Sequence, residues 1–333
     1  MTETRLYQPL RIGTIQIQHR IAMAPMTRRR ATPNRVPTPL MKEYYTQRAA
    51  IPRTLLITEG ALISAAGAGG FANAPETITN AVHQQGSFIF VQLFAMGRAA
   101  DLDVAAAEGV EIMGPSAIPI PHEEKRGAPW PREMSVAEIK QTVGDFGVAA
   151  KNAVAAGFNG VEDTSNQRTD KYGGCVENRT RLAYKVLLEV VQAIGPERVR
   201  MRHVDLIKKA GRLNLAYLHL VESRIYGPGD YQGAVSGTAE TLDSAIERWN
   251  GPILVAGGYR VESAQGLVDE RYPDKDVVVM FRRNFVSNPN FVYRVRKGVE
   301  LTRYNRETFY SNTSAMGYVD YPFSEEYLAT VSA

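Results

Sequence analysis

The sequence predicts a (β/α)8 barrel, and three observations carry that prediction. Eight short β-branched or apolar runs punctuate the chain. Helical patterns lie between most of them. No shift in composition divides the 333 residues, so a single domain spanning residues 1–333 is expected.

The runs are Ile21–Ala24, Thr54–Thr58, Ser87–Leu93, Gly160–Glu162, Val199–Arg202, Ala216–Val221, Ile253–Ala256 and Val277–Phe281. Each is short and rich in residues that fit a buried parallel strand. Before the first run, Leu10–Ile17 holds Gly13-Thr14 between apolar residues and reads as a small hairpin that could plug the barrel bottom. Helical stretches are Pro39–Ala49, Val136–Ala156, Arg179–Ile194, Ala239–Trp249 and Val261–Glu270. The Val136 helix has a sequence-level start: Ser135 with Glu138 three residues on predicts a capping box. Leu206–Leu213 is only eight residues, about 12 Å at ~1.5 Å per residue, a short return along a strand. Ala95–Arg132, rich in Gly, Pro and Ala, is a long connection of the kind that carries function. After Gly298, the aromatics Tyr304, Phe309, Tyr310, Tyr318, Tyr321 and Phe323 predict a tail packed back on the barrel.

Composition excludes several classes. Hydrophobic residues make up 44% and charged residues 22%, ordinary for a globular chain. Net charge is +4, and the longest basic run is Arg28-Arg29-Arg30. That run reads as a solvated or substrate-facing patch, not as a nucleic-acid footprint. The single Cys175 excludes an internal disulfide and a multi-cysteine metal site. No apolar run reaches ~18 residues, so no membrane span is expected. Met1–Leu10 lacks a signal-peptide apolar core, and a cytoplasmic protein is expected.

In a barrel of this class, chemistry sits where the strands end. Ala256-Gly257-Gly258-Tyr259 follows the seventh run and Phe281-Arg282-Arg283-Asn284 the eighth. Two glycines let backbone N–H groups approach phosphate oxygens, and two guanidiniums can bind them bidentately. The bland alternative is a tight turn beside a solvated basic pair. Glu59 after the second run and Glu162 in the fourth form a competing constellation, the carboxylate pair of a glycosidase. Each could equally be a hydrogen-bonded strand-end residue. His19, His83, His122, His203 and His219 show no metal-ligand spacing, and Gly67, Gly69 and Gly70 do not make a dinucleotide fingerprint.

Longer matches run nearly end to end. They are Ala24-Pro25-Met26-Thr27-Arg28, Tyr44-Tyr45-Thr46-Gln47-Arg48-Ala49, Leu56-Ile57-Thr58-Glu59, Phe90-Val91-Gln92-Leu93, the block from Ser165 to Gly174, Glu177-Asn178-Arg179, Ala256–Tyr259 and Tyr318–Pro322. In that order they resemble the Old Yellow Enzyme family of FMN-dependent ene-reductases, most of all its fungal NADH:flavin oxidoreductase-like members.

The resemblance implies FMN as cofactor, NADPH or NADH as reductant, and a small α,β-unsaturated carbonyl compound as substrate, in secondary metabolism. It implies no nucleic-acid or membrane partner and a monomer or homodimer. Pro25, Met26 and Thr27 would run under the flavin ring, with Gly60 beside it. Gln92 would bond the pyrimidine part, and Arg202 would face the N1 side. Gly257, Gly258, Arg282 and Arg283 would cradle the phosphate, with Arg282 standing where glycine is usual. Phe94, Phe309 and Tyr310 would line the substrate side. Tyr310 is the nearest candidate for the catalytic acid, and Thr27 would sit at the reactive edge. The sequence departs from the family in three places. The stretch that follows the fourth strand with a His-Asn or His-His pair and a tyrosine has no counterpart after Glu162. The excursion after Arg202 and a Trp-bearing segment near Pro75–Thr77 are also absent. No residue here inherits the roles of that pair and tyrosine. The gaps leave two further readings: a chain inactivated by altered exons, or a flavin-binding barrel with isomerase or cyclase chemistry.

Overall fold

The structure, a computed structural model, describes residues 3–64, 76–97, 100–114, 117, 130–163, 181–201, 211–222 and 242–332. Twelve strands are described: β1 (Leu10–Ile12), β2 (Ile15–Ile17), β3 (Ile21–Met23), β4 (Leu55–Leu62), β5 (Phe88–Phe94), β6 (Met113–Gly114), β7 (Arg132–Glu133), β8 (Gly160–Asp163), β9 (Val199–Met201), β10 (Tyr217–Val221), β11 (Ile253–Ala256) and β12 (Val277–Phe281). Eight of them close into one barrel in the order β10-β11-β12-β3-β4-β5-β8-β9, and every pairing in it is parallel. All eight runs picked out in the sequence are these barrel strands.

The barrel closes because its strands are apolar on both faces, which only a doubly covered sheet can bury. Side chains alternate with the strand period of two. Ala22, Leu55, Ile57, Phe90, Tyr217, Leu254, Val278 and Met280 pack together in one cluster with the hairpin residues Leu10, Ile12, Ile15 and Ile17. Their neighbours Ile21, Met23, Leu56, Ile89, Val91, Leu218, Val255, Val277 and Val279 pack with helical residues such as Tyr44, Val82, Phe146, Leu187 and Ile246. The hairpin therefore does plug the barrel: β1 pairs antiparallel with β2, and its apolar face joins the interior.

The helices agree with expectation at their cores and differ at their ends. Pro39–Arg48, Val136–Ala155 and Arg181–Ile194 form, and Ser135 caps the second through the reciprocal bonds of its box with Glu138. In the fourth helical stretch the described helix is Asp243–Arg248, and it stops where the backbone becomes extended at Trp249; residues 239–241 lie outside the described residues. Val261–Gly266 passes into a wider turn over Leu267–Arg271. Within the long connection, Leu102–Glu108 is helical and β6 pairs with β7. No helix among the described residues is long and apolar enough to cross a membrane.

Candidate active site

Because all eight barrel strands are parallel, their C-terminal ends share one rim, and the loops that follow them meet there. β3 ends at Met23 and leads into Pro25, Met26 and Thr27. Gly60 lies in β4, and Gln92 and Phe94 in β5. Gly257 and Gly258 follow β11, and Arg282 and Arg283 follow β12. The structure thus brings all of these sequence-picked residues to one rim. Arg202, Cys175, His203 and the block from Ser165 to Arg179 lie outside the described residues.

Register joins three of the positions directly. Gly60 stands opposite Gln92, and Gln92 opposite Glu162. The ladder is irregular between Ile57 and Gly60, which lets β4 run on to Leu62 beside Phe94. Gly60 has little spare room: a Cβ there would lie 2.4 Å from Phe94 Cε1. The Phe94 ring occupies the space that any larger residue at 60 would need.

After β11 and β12 the rim offers backbone and cations. Gly257 has φ of 151°, and a Cβ on it would lie 2.4 Å from Glu222 Cγ. Gly258 has φ of 71° and is exposed. Both conformations belong to glycine; Gly257 is buried against Glu222, and Gly258 leaves its backbone exposed at the rim. Arg283 is partly exposed and rests on the tail, donating from Nη1 to Tyr304 Oη at 3.4 Å. Arg282 is exposed with φ of −105°, so an arginine stands in this position without left-handed strain. Bare glycine backbone flanked by two arginines is the donor set a phosphate needs. Toward the centre of the rim, Gln92 supplies a primary amide and Gly60 a backbone without a side chain. The residues present therefore fit FMN.

Below this rim lies a cluster that the sequence did not show. Arg28 and Arg30 are fully buried, which corrects the reading of the Arg28–Arg30 run as a solvated or substrate-facing patch; only Arg29 is exposed. The reason is a set of carbonyl oxygens brought by the tail. Arg28 Nε donates to Phe309 O at 3.1 Å and Nη2 to Gly317 O at 2.6 Å. Arg30 donates to Thr308 O at 2.8 Å, Phe309 O at 3.0 Å, Ser314 O at 2.9 Å and Met316 O at 3.3 Å. Arg48, at the end of its helix, reaches Phe285 O at 3.1 Å and Tyr318 O at 2.9 Å. The Arg48 guanidinium also sits 3.9 Å from the Tyr44 ring centre, and that ring stacks on Tyr318 at 4.1 Å. Burial pulls Arg48 down to about 10, and it lowers Arg30 as well, helped by the neighbouring charge of Arg28.

Glu59 is the one carboxylate in this cluster among the residues named, and its position removes the glycosidase reading. It is buried, and its Oε2 accepts from the Arg28 N–H at 3.1 Å. Burial raises its pKa, while the Arg28 and Arg29 N–H groups and the Arg28 and Arg30 charges pull it back. Glu162 is fully buried and engaged through both oxygens, with Gln92 Nε2 at 2.8 Å and His219 Nδ1 at 3.0 Å. Neither carboxyl is placed to flank a glycosidic bond; each binds protein.

The tail closes the site on one side. Met26, Val286 and Phe309 pack together with Tyr304 and Tyr321 around them. Phe309 is buried, whereas Tyr310 is 40% exposed, with the Arg29 guanidinium 5.7 Å from its ring centre. No cluster of three metal-ligating side chains occurs among the described residues.

Comparison with known proteins shows the family of the chain. Residues 5–209 match the model of the NADH:flavin oxidoreductase / NADH oxidase family. A chanoclavine-I aldehyde reductase, fgaOx3 of Penicillium roqueforti, is 41% identical over 99% of both chains. The NADP-dependent oxidoreductase lnbE of Aspergillus flavus is 40% identical over 97% of both. The Epichloe festucae var. lolii protein named "Probable inactive reductase easA" is 38% identical, covering 98% of this chain and 97% of its own. The first of these alignments runs over 376 residues, 43 more than the 333 of this chain, so that relative carries at least 43 residues with no counterpart here. Among solved structures, Old Yellow Enzyme from Pichia sp. AKU4542 superposes with a TM-score of 0.84 at 30% identity, over 98% of this chain and 95% of its own. Morphinone reductase in complex with tetrahydroNAD gives 0.81 at 29%, over 97% and 98%. With its parallel barrel and these matches together, the chain belongs to the NADH:flavin oxidoreductase / NADH oxidase family and is an FMN-dependent oxidoreductase of the Old Yellow Enzyme type.

Proposed function

We propose that the protein binds FMN at the rim and reduces the C=C bond of a small α,β-unsaturated carbonyl compound, drawing on NADPH or NADH. The observation that carries this reading is the convergence of Gly257, Gly258 and Arg283 with Gly60 and Gln92 on one rim of the barrel. FMN, when bound, supplies the hydride chemistry.

The chain's own residues would do the rest. Gly257 and Gly258 offer backbone N–H groups, and Arg282 and Arg283 offer guanidiniums, to the phosphate. Gln92 hydrogen-bonds the pyrimidine edge. Pro25, Met26 and Thr27 form the floor, with the Thr27 hydroxyl at the reactive side; Thr27 is exposed, as such a role requires. Arg202 would supply the fixed cation at the other edge. Phe94, Phe309 and Tyr310 wall the substrate. Tyr310 Oη is the proposed proton donor to the substrate carbon, since its exposed ring lies on the tail beside buried Phe309. The relatives named for chanoclavine-I aldehyde support an enal in fungal secondary metabolism as the substrate class. The protein is read as one cytoplasmic domain, monomeric or homodimeric.

A second reading is a flavin-binding barrel without reductase activity. It is favoured by the residues that relatives carry and this chain lacks, and by the relative named as inactive. The test is a visible spectrum of the purified protein followed by anaerobic NADPH. A bound-flavin spectrum that bleaches and reoxidises with an enal supports reduction. Bleaching without turnover on enals supports the second reading. A colourless protein that ignores added FMN overturns both.

A further inference from the structure

Gln92, Glu162 and His219 form a hydrogen-bonded row inside the barrel wall. Gln92 Nε2 donates to Glu162 Oε1 at 2.8 Å, and Glu162 Oε2 lies 3.0 Å from His219 Nδ1. Glu162 and His219 are buried from solvent, while Gln92 is partly exposed at the rim. The three residues come from β5, β8 and β10, so the row reaches across four successive strands of the barrel.

A primary amide has an accepting end and a donating end of nearly equal shape. Rotating it by half a turn exchanges them. Which end meets a ligand therefore needs an outside constraint, and the shape of Gln92 supplies none. Glu162 supplies it. A carboxylate oxygen accepts, so the amide NH2 turns toward Glu162 and the amide oxygen is left for the rim. Glu162 cannot yield by swinging away, because its second oxygen is held across the interior by His219. In a buried setting, turning the amide over would set two oxygens against each other, and burial makes such an unpaired contact costly.

We infer that Glu162 is a positioning residue: it sets the polarity of the Gln92 amide so that the rim presents an acceptor to an N–H on the edge of a heterocyclic ligand, with His219 bracing it. The inference rests on the proposed FMN site. It also explains why a buried carboxylate sits inside the barrel.

The test is E162Q, alone and combined with Q92A, in the full chain. The near-isosteric amide at 162 can accept or donate, so it no longer dictates the Gln92 orientation. Two quantities are read. One is FMN affinity, from quenching of flavin fluorescence. The other is hydrogen exchange at the Gln92 side-chain amide in FMN-free protein, from NMR. E162Q is expected to weaken FMN binding about tenfold, the effect of one hydrogen bond, and to speed that exchange. In the Q92A background, adding E162Q is expected to change FMN affinity no further, because the effect passes through Gln92. Should E162Q not fold, H219Q reads the brace, with the same direction and a smaller loss.

Two results overturn the inference while sparing the proposed function. One is E162Q with wild-type affinity where Q92A is weakened. The other is an E162Q loss that persists undiminished in Q92A, which would place Glu162 in the fold and not behind Gln92. A wild-type protein that takes up no FMN overturns the proposed function and the inference with it.

Discussion

Arg28 Nη2 donates to the backbone oxygen of Gly317 at 2.6 Å, joining residues 289 positions apart in the chain. The same guanidinium reaches Phe309 O, and its own backbone N–H is held by Glu59. One buried side chain thus ties the loop that carries Thr27 to the tail that carries Phe309 and Tyr310.

The clamp should be essential to stability, and lysine should not replace it. Removing a buried, fully bonded guanidinium strands its carbonyl partners, and R28A is expected to lose roughly 3–5 kcal/mol. R28K keeps the charge but loses the fork that serves two carbonyls lying in different directions, and about 2 kcal/mol should go. Urea unfolding midpoints measure both. In R28A the tail should also become sensitive to trypsin at Arg303 and Arg306, both exposed on it. An R28A midpoint equal to wild type would mean that the clamp contributes nothing.

Acid should weaken the fold through His19. This histidine is buried between Thr54 Oγ1, 3.0 Å from its Nε2, and the Ile21 N–H, 3.4 Å from its Nδ1. Accepting at Nδ1 leaves the proton on Nε2, the neutral ring. Burial depresses its pKa from 6.5 to about 4. Between those values the unfolded chain binds a proton that the folded chain refuses, so stability rises with pH across that window and is lost as pH falls through it. A shift of this size amounts to about 3 kcal/mol at the acid end. H19Q should flatten the slope of unfolding free energy between pH 6.5 and 4, and an unchanged slope would assign the acid sensitivity elsewhere.

Gly60 and Phe94 should behave as a coupled pair. The Cβ of G60A would lie 2.4 Å from Phe94 Cε1, so the ring has to move. G60A alone is expected to destabilise by about 1–3 kcal/mol through overpacking. In an F94A background the same substitution should be nearly neutral. The double-mutant cycle should return a coupling of about 1 kcal/mol or more, and strict additivity of the two changes would refute the contact.

The two halves of the phosphate cradle should separate in their effects. G257A forces a side chain into φ of 151° and against Glu222, so both melting temperature and FMN binding should fall. R283A leaves the backbone intact. It should spare the apo protein and weaken FMN by about tenfold or more, the worth of a charge-assisted bond. Thermal melting with and without added FMN distinguishes these patterns. A cradle that binds elsewhere would show R283A stabilised by FMN as fully as wild type.

Much of this molecule could be read from residue order alone. Eight apolar runs gave eight barrel strands, since a parallel strand covered on both faces has to be continuously apolar over its length. The hairpin and the Ser135–Glu138 box were legible because each is decided by residues within a few positions of one another. The position of Gly257, Gly258 and Arg283 at the rim was legible for a related reason: each follows a barrel strand, and strand ends mark the rim.

Arg28 and Arg30 were not legible, because sequence reads an arginine run as charge seeking water. Only tertiary structure supplies the carbonyls of Thr308, Phe309, Ser314, Met316 and Gly317 that make burial affordable. The same holds for Glu162, which looked like half of a catalytic pair until its partners Gln92 and His219 were in place. Local pattern therefore determined the strands, the caps and the rim. Burial of charge was decided by the fold, because a buried charge is stable only beside partners that the chain brings from far away.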